Sequence, residues 1–125
     1  MKKKIIRILG LLFLICIFFL LIVTYNVESR VQETCKMAMS IYPGDKIQAL
    51  INVSEKQNYC TEDKSRALWA LGQLGDKKAL PYLVENYDGV EETDICIYEA
   101  QFAIEKIKNE SFNLPGFLWR DILED

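Results

Sequence analysis

The chain has 125 residues, half of them hydrophobic, which is enough for one modest domain beside its first two dozen residues. Four of its 15 basic residues lie before residue 8, so 11 remain after Thr24 against 18 Asp and Glu, a net charge of −7. This acidic excess disfavours nucleic acid and charge-driven adhesion to an anionic membrane surface, because both ligands need a basic footprint.

The first segment has the pattern of a membrane anchor. Three lysines and Arg7 are followed by an uncharged apolar run that ends at Val23. At about 1.5 Å per helical residue, residues 5–23 extend over roughly 28 Å, close to the hydrocarbon core of a bilayer. The basic end favours a cytoplasmic N-terminus, which puts the rest of the chain in a periplasmic or extracellular space.

A cleaved signal peptide is the alternative reading of the same segment. Its apolar region is usually slightly shorter than this one, and Val27-Glu28-Ser29 is a weak cleavage site. Cleavage would release a secreted protein, whereas an uncleaved helix makes a single-pass membrane protein. We therefore divide the chain into a membrane anchor or signal segment, residues 1–26, and a helical domain, residues 27–125.

Apolar residues at helical spacing predict a series of short helices after the anchor. Pro43-Gly44-Asp45 ends the first, Asp45 caps the second, and Thr61 begins the third. The third ends at Gly75, Asp76 caps the fourth, and a fifth covers residues 95–108. Phe117, Leu118 and Ile122 are the predicted anchors of a last short helix.

The helices repeat along the chain. A shift of 33 residues places Ala67, Trp69, Ala70, Leu71 and Leu74 on Ala100, Phe102, Ala103, Ile104 and Ile107. This periodicity predicts an all-α fold, a short α-solenoid of about three helical hairpins behind the N-terminal transmembrane or signal-anchor helix.

The sequence RALWALGQLGDKKALPYL, residues 66–83, resembles the short subtype of HEAT repeat found in phycobilisome lyases. That subtype has an Arg-Ala-rich first helix ending in Leu-Gly-x-Leu-Gly-Asp and a second helix with Ala-Leu-x-x-Leu. The third unit departs from it, because Lys108 stands where Gly75 would recur. The resemblance implies a scaffold that holds other proteins, without lyase activity.

Three cysteines lie beyond the anchor, and an oxidising compartment would let two of them pair. The adjacent layers of a solenoid favour Cys35 with Cys60 as the first choice and Cys60 with Cys96 as the second. With no histidine and no CxxC spacing, the sequence predicts no metal site, no cofactor and no activated nucleophile. Cys35 alternatively replaces the alanine of the repeat as a small buried residue.

The second helices of such a solenoid line its concave side, where a protein partner would bind. The candidate partner-binding residues on that side are Asn52, Glu55, Tyr82, Glu85 and Asn86. The aromatic residues of the C-terminal segment, Phe112, Phe117 and Trp119, are expected to cover the end of the stack or to form an exposed docking segment.

The function that follows is a non-enzymatic protein-interaction or scaffold module, anchored to the membrane and facing outside the cytoplasm. An accessory subunit that stabilises a larger membrane complex is the alternative, and a small enzyme is a remote one. The partner is an unidentified protein, the membrane is contacted through residues 5–23, and nucleic acid is not a partner.

Overall fold

A computed structural model describes residues 1–110 and 112–124 of the chain. Within those residues it contains helices and no strand, which confirms the predicted all-α class. The helices are α1 (Lys2–Ile41), α2 (Lys46–Glu55), α3 (Glu62–Leu74), α4 (Leu80–Tyr87), α5 (Ile95–Lys108) and α6 (Leu114–Leu123), with a short 3-10 turn (Lys77–Ala79) before α4.

The anchor and the first helix of the domain form one continuous helix. The sequence treats them as two segments that meet after residue 26, but α1 runs through that position without a break. Its first 23 residues are almost entirely exposed, and its first buried side chain is Thr24. Among the described residues, α1 is the one helix long and apolar enough to cross a membrane. The division predicted at residue 26 is therefore not a break in the helix. It lies close to Thr24, where the side chains of α1 begin to be buried.

Side-chain caps set the starts of α2 and α3 as the sequence predicts, whereas Asp76 caps the 3-10 turn and α4 begins without a side-chain cap. Asp45 accepts a hydrogen bond from the backbone of Gln48, and Thr61 accepts one from Lys64. Asp94 caps α5 in the same way, through the backbone N–H of Ile97. Each cap satisfies an N–H group that the first helical turn leaves without an internal partner.

The core is built from the repeating apolar positions. Helices α3 and α5 lie side by side in the predicted register, and Lys106 Nζ donates to Gln73 Oε1 across 2.8 Å. Lys77 also pairs with Glu110, again 33 positions on. Helices α1 and α2 form the first layer, α3 is the first helix of a second and α5 that of a third, and α4 packs against α5. The largest fully buried apolar side chains are Leu50, Leu68, Leu71, Leu83, Ile107 and Val31.

Helices α3 and α5 approach each other closely at Gly72, where a Cβ atom would lie 2.9 Å from Ala103 Cβ. Replacing Gly72 with alanine should destabilise the domain by about 1–2 kcal/mol, because overpacking outweighs the gain in helix propensity. Chemical denaturation of the full chain in detergent micelles measures the change. Adding Ala103→Gly to Gly72→Ala removes the competing methyl group, so it should recover part of the loss. Equal stability of wild type and the single variant would contradict this packing.

The aromatic residues of the last helix led us to expect that it covers the end of the stack, but it does not. Instead α6 packs against α1, where Trp119 lies edge-to-face on Tyr25 with ring centroids 5.2 Å apart. Phe117 and Ile122, two of its three predicted anchors, are exposed. The first alternative, a cover on the end of the stack, was wrong because α1 continues below the first layer and offers α6 polar partners there, chiefly Thr24 and Glu28. Phe112 and Phe117 are exposed, as the second alternative expects.

Candidate functional site

The predicted binding residues meet in a shallow groove between α2 and α4. Its volume is about 440 Å³, and its lining residues are Gln48, Ile51, Glu55, Lys78, Pro81, Tyr82, Glu85 and Asn86. Four of the five predicted residues are in that set. The fifth, Asn52, lies one position past Ile51 and accepts a hydrogen bond from Gln48 Nε2 at 3.1 Å.

Tyr82 has a structural role in addition to lining the groove. Its phenolic oxygen lies 2.7 Å from Ser54 Oγ, a hydrogen bond that joins α2 to α4. Its ring also packs edge-to-face against Tyr87, with centroids 6.2 Å apart. The sequence placed Tyr82 on the outward face, but its hydroxyl is already engaged by Ser54 inside the fold. A partner would therefore meet the edge of the ring.

The accessible charge of the groove comes from the exposed side chains of Glu55, Glu85 and Lys78. Ile51 and Pro81 supply apolar surface between them. Two carboxylates above an apolar floor can accept hydrogen bonds from a basic side chain or from the backbone N–H groups of a bound segment.

The first helices form a second, more polar groove that the sequence analysis did not identify. It has a volume of about 390 Å³ and is lined by Arg30, Glu33, Thr34, Glu62, Ser65, Arg66, Trp69 and Glu99. Burial here raises the pKa of the Glu99 carboxyl. The 33-residue repeat contained a usable signal, because Arg66 and Glu99 occupy equivalent positions on α3 and α5.

The disulfide joins Cys60 to Cys96, with an S–S distance of 2.00 Å and a Cα–Cα distance of 5.7 Å. This is the second of the two predicted pairings, and Cys35, of the first-choice pair, is a free buried thiol. The pairing follows from the position of each cysteine along its helix. Cys60 and Cys96 both lie at the amino-terminal ends of the adjacent helices α3 and α5, whereas Cys35 lies 33 residues beyond the start of α1, among core side chains.

The remaining cysteine chemistry is limited. Burial raises the pKa of the Cys35 thiol to about 11, so it stays protonated and weakly nucleophilic at neutral pH. Asp94 lies with Cys60 and Cys96 in a group whose ligand atoms are within 4.8 Å of one another. A metal ion needs thiolates there, and both sulfurs are taken up by the disulfide.

One face of α5 carries a stripe of exposed apolar residues, Ile95, Tyr98 and Phe102. The rings of Tyr98 and Phe102 are stacked with centroids 6.4 Å apart. The sequence analysis assigned this stripe no role, although the spacing of three and four residues was visible as one side of a helix.

Comparison with known proteins agrees with the repeat geometry. A family model described as PBS lyase HEAT-like repeat matches residues 63–89, which cover α3, the 3-10 turn and α4. Searches of curated proteins and of solved structures found no match to the chain. HEAT-like repeats are helical modules that generally mediate contacts between proteins, so the match agrees with the resemblance drawn from the sequence. Residues 63–89 are therefore similar to a PBS lyase HEAT-like repeat.

Proposed function

We propose that the chain is a membrane-anchored, non-enzymatic interaction module that presents the α2–α4 groove to a protein outside the cytoplasm. The observation that carries the proposal is the groove itself. The HEAT-like repeat supplies its α4 side, and four residues chosen from the sequence as partner contacts line it.

The continuous α1 supports a role in holding a partner at a fixed place. No flexible linker separates residues 5–23 from the first layer, since α1 is helical from Lys2 to Ile41. The groove therefore keeps a set height and direction relative to the span. A module of this kind scaffolds a partner near the membrane surface.

The partner we propose is a protein whose contacting segment is basic or neutral. Glu55 and Glu85 favour a positive or hydrogen-bond-donating surface, and the acidic excess of the domain steers such a partner toward it. The groove is poorly suited to binding a small molecule, because it is shallow and its lining residues include no deeply buried polar group that would fix the orientation of the ligand.

A photo-crosslinking residue in place of Asn86, which is exposed at the groove, would identify the partner in the native membrane. With that partner in hand, Glu55→Lys together with Glu85→Lys should weaken binding by about 2 kcal/mol, roughly thirtyfold. Both carboxylates are exposed, so the substitutions reverse charge in the groove without opening the core.

The matched control is Glu91→Lys with Glu92→Lys, an equal change of charge on the exposed 88–94 connection. It should leave the affinity close to that of wild type. Equal weakening by both pairs would mean that net charge governs binding, and no weakening by the groove pair would place the partner elsewhere. Either result contradicts the proposed groove.

A further inference from the structure

The amino-terminal half of α6 and the residues just before it are uncharged. Residues 112–119 read Phe-Asn-Leu-Pro-Gly-Phe-Leu-Trp, and the charges of α6 begin at Arg120. Phe112 and Phe117 are exposed, the latter at 73%, and their rings contact each other with centroids 5.7 Å apart. Two adjacent exposed phenylalanines in an uncharged segment form a surface that water hydrates poorly.

Three contacts give the direction of α6 along α1. Trp119 Nε1 donates to Thr24 Oγ1 at 3.0 Å, and Arg120 Nε lies 3.4 Å from Glu28 Oε1. One turn further on, Gln32 Nε2 lies 3.5 Å from Glu124 Oε1. The residue numbers rise together, so α6 runs in the same sense as α1.

The residues before Trp119 therefore lie on the membrane side of Thr24. The apolar span ends at Val23, immediately before Thr24 and Tyr25. Leu21, three residues before Thr24, is the one residue of the first 23 that is partly buried. The uncharged half of α6 is level with the end of the span, and its charged half is level with the domain.

The aromatic pair of Tyr25 and Trp119 is placed where lipid headgroups would surround α1. Tryptophan and tyrosine favour this layer, because an apolar ring and a polar N–H or O–H group are satisfied on opposite sides of it. Asn113 further ties the start of α6 to the chain through the carbonyl oxygen of Gln73, at the end of α3. Contacts with α1 and with the end of α3 thus both hold the segment in place.

We infer that residues 112–119 lie in the interfacial layer of the bilayer around α1, as a second membrane contact that fixes the angle of the domain to the membrane. The inference rests on the proposed membrane span of residues 5–23. Lipid is the occupant because this surface is continuous with the span and carries no charge that would select a protein partner. The contact does not need anionic lipid, which agrees with the acidic excess of the domain.

Fluorescence quenching by brominated lipids tests the placement. The full chain with Trp69→Phe retains Trp119 as its one tryptophan and is reconstituted into vesicles of zwitterionic lipid brominated either near the headgroup or near the end of the acyl chains. We expect Trp119 emission to be lost mainly with bromine near the headgroup. Phe117→Trp, in a chain that also carries Trp69→Phe and Trp119→Phe, should behave alike, because Phe117 is exposed, tryptophan keeps an aromatic ring beside Phe112, and phenylalanine keeps one beside Tyr25.

Two controls in that same tryptophan-free chain separate the inference from the anchor on which it rests. Phe18→Trp reports on the middle of the span and should be quenched by bromine deep in the acyl chains. Ile41→Trp is exposed at the far end of α1, 18 residues and about 27 Å beyond Val23, and should not be quenched.

If Phe18→Trp is quenched while Trp119 and Phe117→Trp are not, the chain is anchored but α6 is free of lipid, and the inference fails alone. Deep quenching at position 117 would also overturn it, because the segment would then belong to the hydrocarbon core. If Phe18→Trp is not quenched, the anchor and the inference fail together. Quenching that disappears on addition of the partner found through the groove would assign this surface to protein.

Discussion

Replacing Cys60 and Cys96 with serine should lower the free energy of unfolding of the helical domain by about 4 kcal/mol. The bond closes a loop with a sequence separation of 36, and its main effect is to restrict the unfolded chain. The loss is large for a domain of about one hundred residues, whose total stability is on the order of 5–10 kcal/mol. Chemical denaturation of the full chain in detergent micelles, with and without a thiol reductant, measures it.

The controls for the disulfide are the double serine variant treated with reductant and a substitution of a cysteine outside the bond. Reductant should destabilise wild type by a similar amount and leave the double serine variant unchanged. Cys16→Ser, at an exposed position in the apolar segment, should alter neither curve. If reductant has the same small effect on wild type and on the variant, Cys60 and Cys96 are not joined in the folded protein.

Replacing Arg120 with alanine should destabilise the docking of α6 by about 3 kcal/mol. Glu28 is 0% exposed, and its carboxylate has Arg120 as its charged partner and Gln32 Nε2 as a neutral donor at 2.9 Å. Removing the guanidinium leaves a buried charge without a counter-ion, which costs about 3–5 kcal/mol for an enclosed pair. The lower end applies, because Arg120 is 27% exposed and water can partly replace it.

The effect is read from the protection of α6 amide hydrogens against exchange and from the emission of Trp119, which packs beside the pair. The control is Asp121→Ala, an exposed position on the same helix that should change neither signal. Combining Arg120→Ala with Glu28→Leu removes both charges and should recover much of the loss. Equal behaviour of the Arg120 and Asp121 variants would show that the pair does not hold α6 in place.

The neighbouring ion pair adds a pH-dependent contribution to the same junction. Lys46 lies 2.7 Å from Glu124, and that hydrogen bond holds the pKa of the Glu124 carboxyl below its usual value. Since the folded-state pKa is lowered, the stabilisation is present at neutral pH and is lost as the pH falls through that pKa. Both side chains are more than a third exposed, so the pair contributes little beside the buried carboxylate of Glu28.

The candidate site divides into parts that sequence could and could not predict. Glu55, Glu85 and Asn86 were recoverable because the face of a helix follows from spacing alone. The structural role of Tyr82 was not, since it depends on Ser54, 28 positions earlier, approaching within 2.7 Å after α2 and α4 have packed. The polar groove beside Trp69 could not be predicted either, because its lining residues come from three helices that meet only after packing.

The amino-acid sequence by itself determined the helices, their caps, the apolar segment and the 33-residue repeat. Each of these depends on side chains within a few turns of one another, where spacing and capping chemistry act directly. Only the tertiary structure decided which cysteines pair and where α6 packs. Those outcomes depend on the relative heights of helices distant in sequence: Cys96 reaches the level of Cys60, and Trp119 reaches that of Thr24 because α1 extends beyond its own layer.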